Sequence, residues 1–361
     1  MTNIQTRTVD IFCKVIDNYG DIGVCWRLCA QLVAQGRLVR LVVDDASALA
    51  WMTVQPRPVE VMRWNQAHLI EQVADLVIES FGCELPDVYI AKMAQQAMLG
   101  KASRWINLEY LTAERYAEEC HLLPSPVMQG AGKGLTKTFF YPGFTHQTGG
   151  LLREPDLFER QATFDKATWL KKQTIEWVNE RIVSLFCYEP AALPALLTEL
   201  QNSDQPTLLL VTKGRAAKAM NALQAISSKA LRIHYLPHLT QDDYDHLLWA
   251  SDFNFVRGED SLVRAIWAGK PFVWQIYPQN DNAHHAKLEA FLDVYLESID
   301  TTTAAQIRAA HQNWNEIQKI MPADPILLGL QRWQAASLIR CGLWAAQPDL
   351  VKQLLDSWTK N

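Results

Sequence analysis

The run Thr8-Val9-Asp10-Ile11-Phe12-Cys13-Lys14-Val15-Ile16, followed by Asp17-Asn18-Tyr19-Gly20-Asp21-Ile22-Gly23, decides the fold. Its first part is short, apolar and rich in β-branched residues, the pattern of a buried strand, and Ile22 to Gln35 then carries apolar residues at helical spacing. Further strand patterns follow at Leu38 to Asp44, Val59 to Trp64, Ala74 to Glu79 and Trp105 to Leu108. Strands alternating with helices imply right-handed βαβ units and a parallel, doubly wound α/β sheet.

The alternation returns further along the chain. Ile182 to Tyr188, Thr207 to Val211, Leu231 to Leu236, Phe253 to Val256 and Pro271 to Ile276 read as strands. Helical patterns at Ala191 to Leu200, Ala216 to Ile226, Asp242 to Ala250 and Leu262 to Ala268 separate them. Between Pro124 and Glu154 glycine and proline crowd together, so this stretch reads as loop and linker, with Phe139-Phe140-Tyr141 expected to pack near an interdomain cleft. The tail from Ala304 is helical in pattern, broken at Pro322, Pro325 and Pro348, and its last helix is expected to cross back to the first domain. The expectation is two Rossmann-like, doubly wound domains facing a central cleft: residues 1–150 joined by 348–361, and residues 151–347. A length of 361 residues agrees with two domains at roughly 150 residues each.

Composition narrows the classes. A net charge of −5 supplies no overall positive field for nucleic acid. The polar opening from Met1 to Arg7, and the lack of any apolar run of about 18 residues, lead to the expectation of a cytoplasmic chain that is neither exported nor membrane-spanning. Seven scattered cysteines without a CxxC pair point to reduced thiols. Cys25 and Cys29 stand one helical turn apart, but no second ligand pair completes a metal site, so no metal is assigned. Trp249 and Trp267, among thirteen tryptophans, fall on apolar helical faces and read as core.

Tandem domains of this kind occur in GT-B glycosyltransferases, two-domain dehydrogenases and periplasmic-type binding proteins, and the missing export signal argues against the last. Ligands in open α/β sheets sit beyond the carboxyl ends of the strands, so the loops there discriminate. The loop after the first strand lacks the glycine fingerprint of a dinucleotide site and presents Asp17 and Asp21, which would repel a phosphate. Two carboxylates about a glycine turn suit a cationic or hydroxylic acceptor, the alternative being that either merely caps the helix. Asp44 and Asp45, after the second strand, read as turn or cap residues or as a lining of the acceptor cleft.

In the second half, Arg257-Gly258-Glu259-Asp260-Ser261 runs from a strand into a helix, with Asp260 or Ser261 expected as the cap. Its N-terminus is an anion site for a pyrophosphate, Glu259 being placed to bond ribose or sugar hydroxyls. Arg257 and Arg264 add positive charge or serve the structure. Tyr188 and the segment His238-Leu239-Thr240-Gln241-Asp242-Asp243-Tyr244 are placed to stack on a base and bond its edge.

Asp17-Asn18-Tyr19-Gly20-Asp21-Ile22-Gly23-Val24-Cys25-Trp26-Arg27-Leu28, Asn107-Leu108-Glu109-Tyr110-Leu111, Leu123-Pro124-Ser125-Pro126, Tyr141-Pro142-Gly143-Phe144 and Arg257-Gly258-Glu259-Asp260-Ser261-Leu262-Val263-Arg264-Ala265 resemble the EarP family of bacterial protein-arginine rhamnosyltransferases, over nearly the whole chain. The resemblance implies a GT-B fold and inverting transfer of L-rhamnose from TDP-β-L-rhamnose to an arginine in the N-terminal domain of elongation factor P, without metal or other cofactor. It makes 1–150 the acceptor domain and 151–347 the donor domain. Asp17, Asp21 and Glu259 match the catalytic residues. Tyr188, Gln241, Tyr244, Asp260 and Ser261, with Glu259, match the nucleotide-sugar ligands, and His238 stands where the family pattern has a ring of the Phe type. Asn18, Tyr19, Gly20 and Phe144 are the remaining acceptor or cleft candidates. The rival readings are a non-catalytic two-domain binding protein and an NAD-dependent oxidoreductase.

Overall fold

The computed structural model describes residues 7–16, 19–53, 58–224, 227–279, 282–317, 327 and 329–359. The chain divides into two compact units, one of Met1–Glu154 with Gln347–Asn361 and one of Pro155–Ala346.

The first unit holds β1 (Thr8–Cys13), β2 (Leu38–Val43), β3 (Val59–Arg63), β4 (Leu76–Ser80), β5 (Arg104–Leu108), β6 (Pro124–Pro126) and β7 (Thr136–Phe140), in the order β3-β2-β1-β4-β5-β7-β6. Every pairing is parallel except β6 with β7. Helices α1 (Gly20–Ala34), α2 (Leu49–Met52), α3 (Asp87–Met98) and α4 (Tyr116–Cys120) connect the strands. A sheet covered on both faces must be apolar on both, and β1 is. Val9, Ile11 and Cys13 join the cluster that holds Leu28 and Leu32 of α1, whereas Phe12 packs with Tyr89 and Met93 of α3 on the opposite face. The charged exception, Asp10, is 2% exposed and satisfied: Tyr89 Oη donates to it at 2.5 Å and Arg40 pairs with it at 3.1 Å.

The stretch from Pro124 to Glu154, expected as a linker, is part of this sheet. β7 adds parallel to β5, β6 closes the edge, and Phe140 is fully buried in the cluster under α1. The prolines that disguise β6 are tolerated because it is an edge strand, where a missing N–H breaks no ladder. Gly149 is there for close approach, since a Cβ at that position would stand 2.2 Å from the Phe140 ring. Phe139-Phe140-Tyr141 therefore belongs to the end of β7.

The last segment completes the same unit. α14 (Leu350–Thr359) places Leu350, Val351 and Leu354 in the cluster under α1, and the Arg7 guanidinium lies 4.7 Å over the Trp358 ring.

The second unit holds β8 (Arg181–Leu185), β9 (Thr207–Val211), β10 (Leu231–Tyr235), β11 (Phe253–Arg257) and β12 (Phe272–Gln275), all parallel, in the order β10-β9-β8-β11-β12. Its helices are α5 (Leu157–Ala162), α6 (Lys166–Lys172), α7 (Leu193–Gln201), α8 (Arg215–Ala222), α9 (Gln241–Ala250), α10 (Gly258–Ala268), α11 (Ala283–Tyr295), α12 (Thr301–Trp314) and α13 (Leu330–Ala345). Trp249 and Trp267 are buried. Arg264 of α10 and Asp245 of α9 form a two-pronged pair at 2.6 and 2.8 Å, with each side chain 1% exposed.

In both sheets the strand order reverses at one place, between β1 and β4 in the first unit and between β8 and β11 in the second. The chain leaves neighbouring strands in opposite directions there and opens a crevice beyond their carboxyl ends, the ligand position of doubly wound sheets. Asp21 follows β1; Tyr188 follows β8, and Glu259 follows β11. Among the described residues no helix is long and apolar enough to cross a membrane.

Candidate functional site

In the first unit Asp17 and Asn18 lie outside the described residues. Tyr19 occupies the N-cap position of α1 without capping it through its side chain, and its ring meets Trp51 edge-on at 4.9 Å. Gly20 is the first helical residue and Asp21 the second. The Asp21 side chain does not cap the helix in the ordinary sense. It turns back to accept the Ile16 N–H at 2.7 Å, tying the loop to the end of the strand, and is only 5% exposed. A carboxylate held by a backbone donor at a switch point has its direction fixed, which is what a group addressing a cation requires.

Asp44 accepts the Val15 and Asp45 N–H groups and Asp45 accepts that of Ser47, so these two are turn residues. Phe144, an acceptor candidate by sequence, is 3% exposed, and its carbonyl accepts a hydrogen bond from Gln347.

In the second unit α10 starts four residues earlier than expected, at Gly258 in place of Leu262. Gly258, with φ +67°, turns β11 directly into the helix, making Arg257 the N-cap and placing Glu259 and Asp260 in the first turn. Neither Asp260 nor Ser261 caps it. The Ser261 hydroxyl faces back, accepting the Arg257 N–H at 3.1 Å and donating to the Arg257 carbonyl. Two carboxylates in the first turn already complement the positive end of the helix. Glu259 also pairs with Lys287 at 2.6 Å, each side chain being 21% exposed.

Around this turn the aromatic candidates form a continuous series. The Arg257 guanidinium stacks between Phe186 and Tyr188, 4.6 and 4.5 Å from the two ring centroids, and donates to the Cys187 carbonyl. The Tyr244 ring meets Phe186 edge-on at 5.4 Å, and burial holds its phenol far above the usual range. Arg215, locked on Glu189, covers the Tyr188 ring at 4.8 Å. Tyr188 is 1% exposed, and its N–H donates to Gln275 at 2.8 Å. It lines a cavity of about 420 Å³ with Glu189, Arg215, Gln275, His284 and Asn315. Gln241, the first residue of α9, and Tyr244, Asp260 and Ser261 do not line that cavity, so the nucleotide candidates fall into two neighbouring groups joined through Arg257. His238 is partly exposed, with burial and Lys213 lowering its pKa. Arg264, paired with Asp245, serves the structure.

Sequence reasoning missed Phe186, Arg215 and Gln275. Their signal was positional, since each lies at or just beyond the carboxyl end of a strand or opens the helix after one.

Comparison with known proteins gives the context for this geometry. A family model described as Elongation-Factor P (EF-P) rhamnosyltransferase EarP matches residues 9–359. A protein-arginine rhamnosyltransferase of Pseudomonas aeruginosa is 43% identical, covering 96% of this chain and 97% of that protein. Its counterpart in Pseudomonas putida is 41% identical over the same shares. A solved structure concerned with EarP-mediated arginine glycosylation of translation elongation factor EF-P aligns with a TM-score of 0.69 at 30% identity, covering 98% of this chain and 99% of that one. MurG of Acinetobacter baumannii aligns with a TM-score of 0.54 at 13% identity over 99% of this chain and 100% of its own, a likeness of fold. Matched almost end to end by the family model and by relatives above 40% identity, this GT-B chain belongs to the EF-P rhamnosyltransferase EarP family and is a glycosyltransferase.

Proposed function

We propose that the chain transfers L-rhamnose, with inversion and without a metal ion, from TDP-β-L-rhamnose to an arginine in the N-terminal domain of elongation factor P in the cytoplasm. The observation that carries the reading is Asp21: a buried carboxylate, aimed by the Ile16 N–H, at the switch point of the first sheet in a member of the EarP family. The first unit addresses the acceptor and the second the donor.

A guanidinium is a poor nucleophile, because its lone pairs are delocalised and its pKa lies above about 12. Asp21, helped by Asp17, pairs with it and fixes one nitrogen toward the anomeric carbon. As the new C–N bond forms, the C–O bond to TDP breaks, TDP leaves with the electron pair, and the nitrogen's proton passes to a carboxylate. Asp21 is the base in this reading and Asp17 the orienting group. Glu259 holds sugar hydroxyls, while Tyr188, Gln241, Tyr244, Asp260 and Ser261 hold the nucleotide. Arg257, stacked between two rings, lends positive charge to the leaving diphosphate.

The test is the intact mass of elongation factor P after incubation with the protein and TDP-β-L-rhamnose. A gain of one deoxyhexose on a single arginine is expected. An unmodified acceptor, with both substrates shown to be intact, refutes the reading.

A further inference from the structure

We propose that Asn107 and Glu109, at the carboxyl end of β5, form a subsite for a second basic side chain of the acceptor protein, distinct from the arginine that is modified. This rests on the function proposed above.

Asn107 is 3% exposed. Its Nδ2 donates to Glu109 Oε1 at 2.6 Å, which fixes the orientation of the amide, and its buried Oδ1 has no hydrogen-bond partner among the described residues. An amide oxygen left so in a folded protein calls for a donor. The surroundings specify what kind. On the same face Glu79 is 1% exposed and accepts from Trp105 Nε1 at 3.0 Å and from Lys137 at 3.3 Å, so two carboxylates face one ammonium. Burial, and Glu79 nearby, hold the Glu109 carboxyl above the usual carboxylate range, and a bound cation relieves both. Tyr116 and Tyr141, edge-on to each other at 5.7 Å, lie within the field of Glu109 and supply ring faces of the sort that attract guanidinium and ammonium groups. Two carboxylates and an unpartnered amide oxygen against the single Lys137 ammonium, with ring faces beside them, describe a site for a further cation.

The subsite is not the place where Asp21 acts. β5 is two strands from β1, roughly 10 Å at the usual interstrand spacing, and Asn107 shares a sheet face with Trp105, on the side opposite α1. The two carboxylates follow different strands, and the subsite is accordingly assigned to a second basic side chain. Glu109 is therefore a positioning residue that docks the acceptor.

The experiment measures KM for elongation factor P, kcat and TDP affinity in the full chain and in Glu109→Gln and Glu109→Asp. Glu109→Gln is expected to raise KM at least about tenfold, with kcat within about twofold and TDP affinity unchanged. Glu109→Asp, which keeps the charge, recovers part of the loss. An unchanged KM overturns the proposal, as does a KM defect accompanied by weaker TDP binding and a lower melting midpoint, which marks a structural role. Elongation factor P with alanine at its modified arginine must still bind the unaltered chain more tightly than Glu109→Gln. Equal binding means that Glu109 holds the modified arginine itself, and the second-cation assignment fails. Transfer by the unaltered chain is the control that separates the two readings. Its failure refutes the proposed function, whereas an unchanged KM alongside normal transfer refutes only the subsite.

Discussion

Replacing Asp21 by asparagine separates chemistry from architecture, because the structure puts different magnitudes on the two. The carboxylate accepts the Ile16 N–H at 2.7 Å, and an asparagine oxygen of the same reach accepts it too. A hydrogen bond to a charged group contributes about 1.5–3 kcal/mol and a neutral one about 0.5–1.5, so the stability lost is about 1 kcal/mol. In a unit of this size that lowers the melting midpoint by roughly 2–4 °C. Loss of a general base lowers the rate roughly 10²–10⁴-fold, which is about 3–5 kcal/mol of activation free energy. The rate effect thus exceeds the stability effect severalfold, and donor affinity is expected to stay unchanged because the TDP ligands proposed above belong to the other unit. Single-turnover transfer by mass spectrometry, thermal unfolding and TDP calorimetry on the same preparation read the three quantities. Transfer at the unaltered rate with the midpoint down by that amount refutes the assignment, leaving Asp21 a tie for the loop and moving the base to Asp17.

Three further outcomes follow. Arg264→Met should destabilise the second unit by about 3–5 kcal/mol in urea unfolding, because it strands a buried carboxylate, whereas Arg264→Met with Asp245→Leu should restore most of the loss. His311 is fully buried, and burial lowers its pKa to about 4. The unfolded chain takes up a proton near pH 6.5 and the folded one only near 4, so this stabilising contribution is present above about pH 6.5 and is lost as pH falls toward 4, by about 1.4 kcal/mol per pH unit. Unfolding of His311→Gln across that window should lack this slope. TDP should bind with equal affinity with and without a chelator, and a magnesium requirement in calorimetry would count against metal-free transfer.

Both sheets were legible in the sequence because a strand buried on two faces is a mostly apolar run, as β9 is, and as β1 is despite Asp10 and β11 despite Asn254 and Arg257. β6 and β7 were not, since β6 is an edge strand that tolerates its two prolines and β7 beside it opens with the polar Thr136-Lys137-Thr138. The helices α3 and α11 escaped because their apolar residues are interleaved with polar ones and their N-cap residues, Pro86 and Asn282, make no side-chain capping hydrogen bond. At the site, the loop after β1 and the turn after β11 could be read from residue types alone. Which way Ser261 points could not, since its hydroxyl is claimed by the backbone of the N-cap, and that depends on Gly258 adopting a left-handed conformation. The Arg264–Asp245 pair joins residues 19 positions apart on different helices, a relation that only packing establishes.

The first unit is written in two pieces, and that orders its birth. Leu28 and Leu32 of α1 share a cluster with Leu350, Val351 and Leu354, which reach the ribosome's exit only after the whole of Pro155–Ala346 has been made. At about 5–20 residues per second, translating that intervening segment takes roughly 10–40 s. During that interval the nascent first sheet stands with one greasy flank uncovered, while the second unit, encoded without interruption, can complete itself. A chaperone that shields apolar surface, or slow codons placed just before α14, would therefore act on the yield of this enzyme more than on its finished stability.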